Sequence, residues 1–272
     1  SEVEFGGAQA WRVGEEGRGV ATIIGMVMMT RLDCMLGAAA EMRMALAQAL
    51  HHARHRRTFG KLLVEHPLMT NVLADLALES EAATVLSMRI ARAVDRAGVD
   101  ANEAALARVG TALGKYWLCK RAPAFVNEAQ ECLGGAGYVE ESMLPRLYRQ
   151  APLNSIWEGS GNIQCLDVLR ALAREPEALA ALRAELAAVA DRDARYAAAL
   201  QRWAAAPPPD ESQARLFCER TVLLLQAALL LRAQSPMAEA FVRSRLQAEH
   251  GLVFGTLPTG VDLSAMLVRA LP

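Results

Sequence analysis

Apolar side chains recur along most of this chain at the three- and four-residue spacing of an amphipathic helix. From Ile23 to about His55 the helical phase is carried by Ile23, Val27, Thr30, Cys34, Met35, Met42, Leu46 and Leu50. Arg56-Arg57-Thr58-Phe59-Gly60 interrupts it, with Gly60 as the expected helix stop. Pro67 suits the first turn of a second helix, which runs to about Ala97. After the turn Gly98-Val99-Asp100, a third helix is predicted from about Ala101 to Leu133, despite Gly110, Gly114 and Pro123 within it. Gly134-Gly135-Ala136-Gly137 closes that helix. A loop through Pro145 and Pro152 leads to a fourth, carrying Ile163, Leu166, Val168 and Leu169. Long helices joined by short turns predict an all-α fold, an antiparallel four-helix bundle over residues 19–173.

The chain's two ends differ in texture. In residues 1–18, Val3, Phe5, Trp11 and Val13 alternate weakly around Gly6-Gly7, which predicts one or two short strands before the breaker cluster Gly14 to Gly19. Beyond Arg174 the sequence is Ala-rich, and residues 174–272 read as an additional C-terminal helical subdomain. Leu179, Leu182, Leu186, Val189, Tyr196, Leu200 and Trp203 form a heptad-like seam, with Asp193 standing where an apolar residue is due. Pro207-Pro208-Pro209 breaks the chain before a second apolar helix at roughly 211–233; another follows Pro236, and a last short turn lies in the tail.

Composition narrows the function classes. With 29 Lys+Arg against 30 Asp+Glu, net charge offers no bulk attraction to nucleic acid or an anionic membrane, although a local basic patch stays open. Five cysteines without a C-x-x-C pair indicate neither a disulfide framework nor a zinc site, and the expected setting is a reducing cytoplasm. No run of about 18 uninterrupted apolar residues occurs, so no membrane span is expected. The chain opens Ser1-Glu2-Val3, without Met and in mid-domain texture, and reads as a fragment of a longer protein.

Three segments carry candidate chemistry. In Asn154-Ser155-Ile156-Trp157-Glu158-Gly159-Ser160-Gly161-Asn162, Ser155 and Glu158 match a capping box, the commoner explanation of that spacing. Alternatively, Glu158 beside Trp157 and two glycines is a general base next to a backbone that admits a planar ligand. In Leu133-Gly134-Gly135-Ala136-Gly137-Tyr138 a helix C-cap explains one or two glycines, and close approach of a ligand such as phosphate explains the rest. His51-His52-Ala53-Arg54-His55-Arg56-Arg57-Thr58 complements a helix C-terminal dipole or, through arginine, binds phosphate. His51 and His55 share a face but lack a carboxylate partner for a metal.

Taken in order, His55-Arg56-Arg57-Thr58-Phe59-Gly60-Lys61-Leu62-Leu63-Val64-Glu65-His66, Cys132-Leu133-Gly134-Gly135-Ala136-Gly137 and Ile156-Trp157-Glu158-Gly159-Ser160 resemble the C-terminal helical domain of the FAD-dependent acyl-CoA dehydrogenases. The resemblance covers roughly residues 1–172, including an exit from the family's middle β-domain at the start. Met29-Thr30-Arg31-Leu32-Asp33-Cys34, Pro67-Leu68-Met69, the whole run Asn154 to Asn162 and the extra C-terminal helices look like the AidB-like subgroup, named for the adaptive response to DNA alkylation.

The resemblance implies α,β-dehydrogenation of an acyl-CoA thioester. Glu158 matches the base that removes the α-proton while the flavin takes the β-hydride. Arg56 and Thr58 match positions that contact the FAD diphosphate across a dimer interface, with Phe59 packing nearby as part of the cofactor site. Leu133, Gly134, Gly135 and Gly137 match the stretch along the adenosine part of FAD. Ser160 and Asn162 match further FAD contacts, as does His66, and Arg31 matches an arginine at the CoA end of the substrate site. The resemblance also implies a homodimer or homotetramer and an electron acceptor that no residue here specifies.

Two positions depart from the family pattern. Thr30 stands where some members carry an alternative glutamate, leaving Glu158 as the base, and Pro67 replaces the glutamine that usually follows the histidine. The family's N-terminal helical domain and most of its β-domain have no counterpart here, so the chain alone is expected to be a half-site, inactive and weak in FAD affinity. The alternative function is DNA association that protects against alkylation, with little turnover. For it, 11 arginines lie beyond residue 173, but 11 Asp and Glu accompany them. A third reading is a bundle that drives oligomerisation.

Overall fold

The computed structural model describes residues 2–271. Three long helices carry it: α1 (Gly19–His55), α2 (Pro67–Arg96) and α3 (Ala101–Leu133). α1 ends where Arg56 turns extended, and its N–H donates to His52 O at 2.9 Å. A two-residue hairpin follows, β1 (Arg57–Thr58) against β2 (Lys61–Leu62), antiparallel with Arg57 opposite Leu62. Its corners are Phe59 at φ 48° and Gly60 at φ 86°, the pair of left-handed residues such tight hairpins need. Gly60 therefore shapes a strand turn and does not stop the helix. Pro67 opens α2, and the Asp100 carboxylate caps α3 by accepting from Asn102 and Glu103 N–H.

Pro123 is absorbed within α3. The helix's glycines mark close helix approach: a Cβ at Gly114 would lie 2.2 Å from Met35 Cε of α1, and one at Gly110 2.4 Å from Ile90 Cδ1 of α2. Beyond α3 come the single turn α4 (Gly135–Tyr138), α5 (Leu144–Gln150) and a 3-10 turn at Leu153–Ser155. Then α6 (Gly161–Arg174) completes the bundle by packing on α3. By length and apolar composition α1 suits a membrane span. It is also the helix around which the bundle closes, since Met35, Ala38, Met42 and Leu46 are wholly buried.

The tail forms α7 (Pro176–Ala187), α8 (Ala194–Ala205), α9 (Ala214–Arg232), α10 (Ala238–Phe241) running into a π-turn at Val242–Leu246, and α11 (Leu263–Ala270). α7 and α9 lie on α3, and α9 and α11 on α2. A single apolar cluster runs from Leu32, Leu86 and Phe125 into Leu182, Tyr196, Leu225 and Phe241.

Two further expectations are corrected. Residues 2–18 contain no strand, and Val3, Phe5, Trp11 and Val13 stand exposed; Ser1 lies outside the described residues. A strand needs a neighbour to receive its backbone groups, and no described segment pairs with this one. The heptad-like seam is not one helix. α7 stops at Ala187, and Asp193 caps α8 by accepting from Arg195 and Tyr196 N–H. Leu182, Leu186, Val189 and Tyr196 are nonetheless buried, because both arms of this helical hairpin fold onto the same core, with Tyr196 O–H donating to Leu186 O at 2.8 Å.

One ionic cluster pins the tail to the bundle. Arg245 in the π-turn, its side chain 6% exposed, bridges Asp75 and Glu79 of α2, each 2% exposed. Arg121 of α3 adds a bond to Glu79 at 3.2 Å, and Gly255 N–H donates to Asp75. Burial pushes the Glu79 carboxyl up, but Arg121 and Arg245 outweigh it and hold the group below the usual carboxylate range. Replacing Arg245 leaves two buried carboxylates short of their partner, which costs about 3–5 kcal/mol. Arg245→Met is therefore expected to lower the denaturant midpoint by that equivalent, while Arg243→Met, whose Glu249 partner is exposed, shifts it little.

Candidate active site

Between the 3-10 turn at Leu153–Ser155 and the start of α6, the carbonyls of Asn154, Trp157, Glu158 and Gly159 receive no backbone donor among the described residues, so side chains take over that task. Lys115, in the middle of α3 and 1% exposed, donates from Nζ to Asn154 O (3.1 Å), Trp157 O (2.8 Å) and Gly159 O (2.8 Å). Arg31 of α1 donates from Nε to Glu158 O at 3.0 Å. Gln164 of α6, wholly buried, donates from Nε2 to Glu158 O (3.1 Å) and Gly159 O (3.0 Å). Donors on three helices thus hold a path with Glu158 at φ 57° and Gly159 at φ 95°, two successive left-handed residues. Held this way, Glu158 is half-buried, and its carboxylate makes no hydrogen bond among the described residues. The backbone is engaged and the acid is left for something else.

This geometry overturns the capping-box explanation. α6 starts at Gly161 with Ser160 before it, and Ser155 Oγ donates to Pro152 O inside the 3-10 turn. The helix begins too late for Ser155 and Glu158 to cap it.

Beneath the loop lies a second layer. Asn154, 4% exposed, accepts from Trp157 Nε1 at 3.2 Å through its side-chain oxygen and donates from Nδ2 to Glu41 Oε1 at 3.4 Å. Glu41 Oε2 is buried without a partner, and burial pushes this carboxyl up to about 7 against a lowering by Asn154. Burial likewise lowers the Lys115 ammonium. Arg31 has a second engagement, Nη1 to Asp167 Oδ2 at 2.9 Å, and Arg108 bonds the other oxygen of Asp167 at 2.8 Å.

The remaining expected site residues fall into two other groups, and no hydrogen bond among the described residues joins the three. At the end of α1, Arg56 is exposed, Thr58 half-buried and Phe59 98% exposed. His66 Nε2–H donates to Thr58 O at 3.2 Å, lies 3.3 Å from Thr58 Oγ1, and meets Phe59 edge-on at 6.4 Å between rings. His66 thereby braces the hairpin on which Arg56, Thr58 and Phe59 are displayed. At the end of α3, Leu133 is half-buried and Gly134 adopts φ 61°. A Cβ on Gly137 would meet Gln130 O at 2.3 Å, so packing alone demands that glycine. Gly135 has no positive φ, and a Cβ placed on it would find no neighbour within 4 Å; internal packing gives it no reason to be glycine. Of the third group, Ser160 and Asn162 sit beside Glu158 at the start of α6, and Arg31 lies under the loop.

Lys115, Gln164, Asn154, Glu41 and Asp167 are not among the residues that sequence reasoning singles out. Lys115 alone left a signal: it shares helical phase with Ala112, Leu118, Cys119 and Ala122, all buried, and so had to be buried too.

Residues 17–173 match the family described as acyl-CoA dehydrogenase, C-terminal domain. The putative acyl-CoA dehydrogenase AidB of Escherichia coli K12 is 45% identical over 253 residues, covering 92% of this chain and 47% of that protein. Acyl-CoA dehydrogenase family member 11 of Caenorhabditis elegans is 36% identical over 173 residues, 62% of this chain and 28% of that one. Among solved structures, Caenorhabditis elegans ACDH-11 in complex with C11-CoA superimposes with a TM-score of 0.76 at 25% identity, over 95% of this chain and 45% of that one. Bd2924 in its apo-form gives 0.73 at 29% identity, over 81% and 44%. The chain thus spans about half the length, or less, of the proteins it matches. With three long helices, a loop built around an unengaged glutamate, and these matches, the chain belongs to the acyl-CoA dehydrogenase family, whose C-terminal helical domain it carries, and it closely matches the AidB-like members.

Proposed function

We propose that this chain forms the helical half of a flavin-dependent acyl-CoA dehydrogenase and that Glu158 is its base. The observation that carries this reading is the division of labour at Glu158: its carbonyl is held by Arg31 and Gln164, and its carboxylate has no hydrogen-bond partner among the described residues. A base must be fixed in place yet have an oxygen free for the substrate proton, and both conditions are met by this loop. The α-proton of an acyl thioester is weakly acidic, so an acceptor for the leaving hydride has to lie on the opposite face of the same bond. FAD supplies that acceptor when bound.

The chain's own residues fit the dinucleotide. Gly135 offers open backbone where a side chain would block approach, and Arg56 is an exposed guanidinium without an ion pair among the described residues. Ser160 and Asn162 place a hydroxyl and an amide beside Glu158, and Leu133, Gly134 and Gly137 shape the turn around Gly135. His66 serves by bracing Thr58 and Phe59. Arg31, committed to Glu158 O and Asp167, acts at the substrate side by holding the loop. Val20, Ile23, Ile24, Met26, Met29, Phe59 and Leu68 are exposed apolar side chains, surface that a homodimer or homotetramer and the rest of a flavoprotein would cover. A cytoplasmic setting belongs to the same reading.

The DNA reading gains nothing from the arrangement of the tail. Of its 11 arginines, Arg195, Arg232, Arg243, Arg245 and Arg269 are engaged in ion pairs with carboxylates.

Glu158→Gln in the full-length, FAD-loaded protein is expected to slow anaerobic flavin bleaching by acyl-CoA about 10²–10⁴-fold with FAD retained; an unchanged rate excludes Glu158 as base. Lys115→Met strands the Asn154 and Trp157 carbonyls and leaves Gly159 O to Gln164 alone, each buried polar group left unpaired costing about 1–3 kcal/mol. It should lower both the melting temperature and the bleaching rate, and a rate equal to wild type would show that the clamp does not position the base. Glu41 supplies a pH test. Its folded carboxyl, at about 7, lies above the ordinary 4.5, so the folded state holds the proton more tightly and stability falls as pH rises from 4.5 through 7. Glu41→Gln removes this loss, and its melting-temperature advantage should grow over that interval and level off above it.

A further inference from the structure

The tail reaches the cofactor side of the proposed site. Arg215, in the first turn of α9, donates Nε–H to Asn162 Oδ1 at 2.8 Å, across 53 residues of sequence. Asn162 is the second residue of α6, beside Ser160 and close after Glu158. An arginine can only donate, so its partner atom on Asn162 is the amide oxygen, and the amide NH2 is the group left to offer a ligand. The two terminal nitrogens of Arg215 have no hydrogen bond or ion pair among the described residues, and its side chain is exposed. A second cation comes from α3: a Cβ on Gly161 would lie 3.0 Å from Lys120 Cε and 3.5 Å from the Tyr116 ring, so Lys120 crosses the first residue of α6 because that residue is glycine. Its ammonium is likewise without an ion pair among the described residues.

We infer that Arg215 is a positioning residue of the cofactor site, orienting the Asn162 amide and adding positive charge for an anionic dinucleotide, so that the tail completes a site the bundle begins. The inference rests on the proposed function, with the FAD diphosphate as the anion. Two features favour it over a chance surface contact. The bond joins the tail to the turn that also carries Ser160, and the arginine's remaining donors point to no protein acceptor. Charge-assisted hydrogen bonds of this kind are worth about twice a neutral one.

The test is an FAD titration of the full-length apoprotein followed by flavin fluorescence, which reads binding without turnover. Arg215→Gln is expected to weaken FAD binding at least tenfold, and Arg215→Lys, which keeps a donor and the charge, to restore most of it. Arg220→Gln, a charge removed from the same helix, should bind FAD like wild type. Asn162→Ala should weaken binding too, and combining it with Arg215→Gln should weaken it less than the product of the two single effects, because part of the arginine's effect runs through the amide. Asn162→Ala also carries the test without touching α9 if the arginine variant fails to fold, as circular dichroism would reveal. Arg215→Gln binding as tightly as wild type, or Arg220→Gln weakening binding equally, overturns the inference. A wild-type protein that binds no FAD overturns the proposed function itself, a distinguishable result.

Discussion

Everything at the candidate site hangs on one buried ammonium. Lys115 sits in the bundle interior, where a charge is tolerated only when fully hydrogen-bonded, and its three donors go to three carbonyls of one loop. The loop needs the lysine because its backbone, turning left-handed at Glu158 and Gly159, cannot satisfy those carbonyls itself. The lysine needs the loop because these carbonyls are its acceptors among the described residues. This mutual requirement fixes an irregular segment in place while leaving the Glu158 carboxylate without a hydrogen bond among the described residues, the arrangement that the proposed role of a base calls for.

The second layer has the opposite character. Glu41 lies beneath Asn154 with one oxygen unsatisfied, and its proton affinity is raised because burial penalises the anion. Lys115 is a cation held in place by hydrogen bonds; Glu41 is a carboxyl that burial makes hold its proton more tightly than usual. Between them Asn154 is bonded from both sides, its carbonyl to Lys115 and its side chain to Glu41 and Trp157. Protonation of Glu41 is therefore linked to the loop's supports and not to Glu158 directly.

Much of this architecture was legible in periodicity, and the failures share a cause. The three long helices fall where the apolar phase and Asp100, Pro67 and Gly98 put them, since those are local signals. The alternating residues near the start look like strand but have no pairing partner, and Leu179 to Trp203 look like one seam but are two helices folded back. Each error concerns what a segment packs against, which spacing does not encode. Asp193 shows this well: in a seam it is a gap, and in the fold it is a cap. At the site, Glu158 and the glycines stood out through motif resemblance, whereas Asn154 and Asp167 act by long-range bonds to Glu41 and Arg31, and Gln164 by turning back onto a loop five and six residues away, none of which periodicity marks.

The tail, finally, is bound into the same core by chemistry as well as by packing. Arg245 answers the buried carboxylates of α2, Trp203 Nε1 donates to Thr221 within the tail, and Arg215 reaches back to α6. An appendage joined only by apolar contact could slide; one joined through Asp75, Glu79 and Asn162 has a fixed register. That register brings the first turn of α9 to the first turn of α6, where the Arg215–Asn162 hydrogen bond joins the tail to the turn carrying Ser160. Helices beyond Arg174 thus differ from mere added stability: their placement is read at the same end of α6 where the loop of Glu158 is anchored.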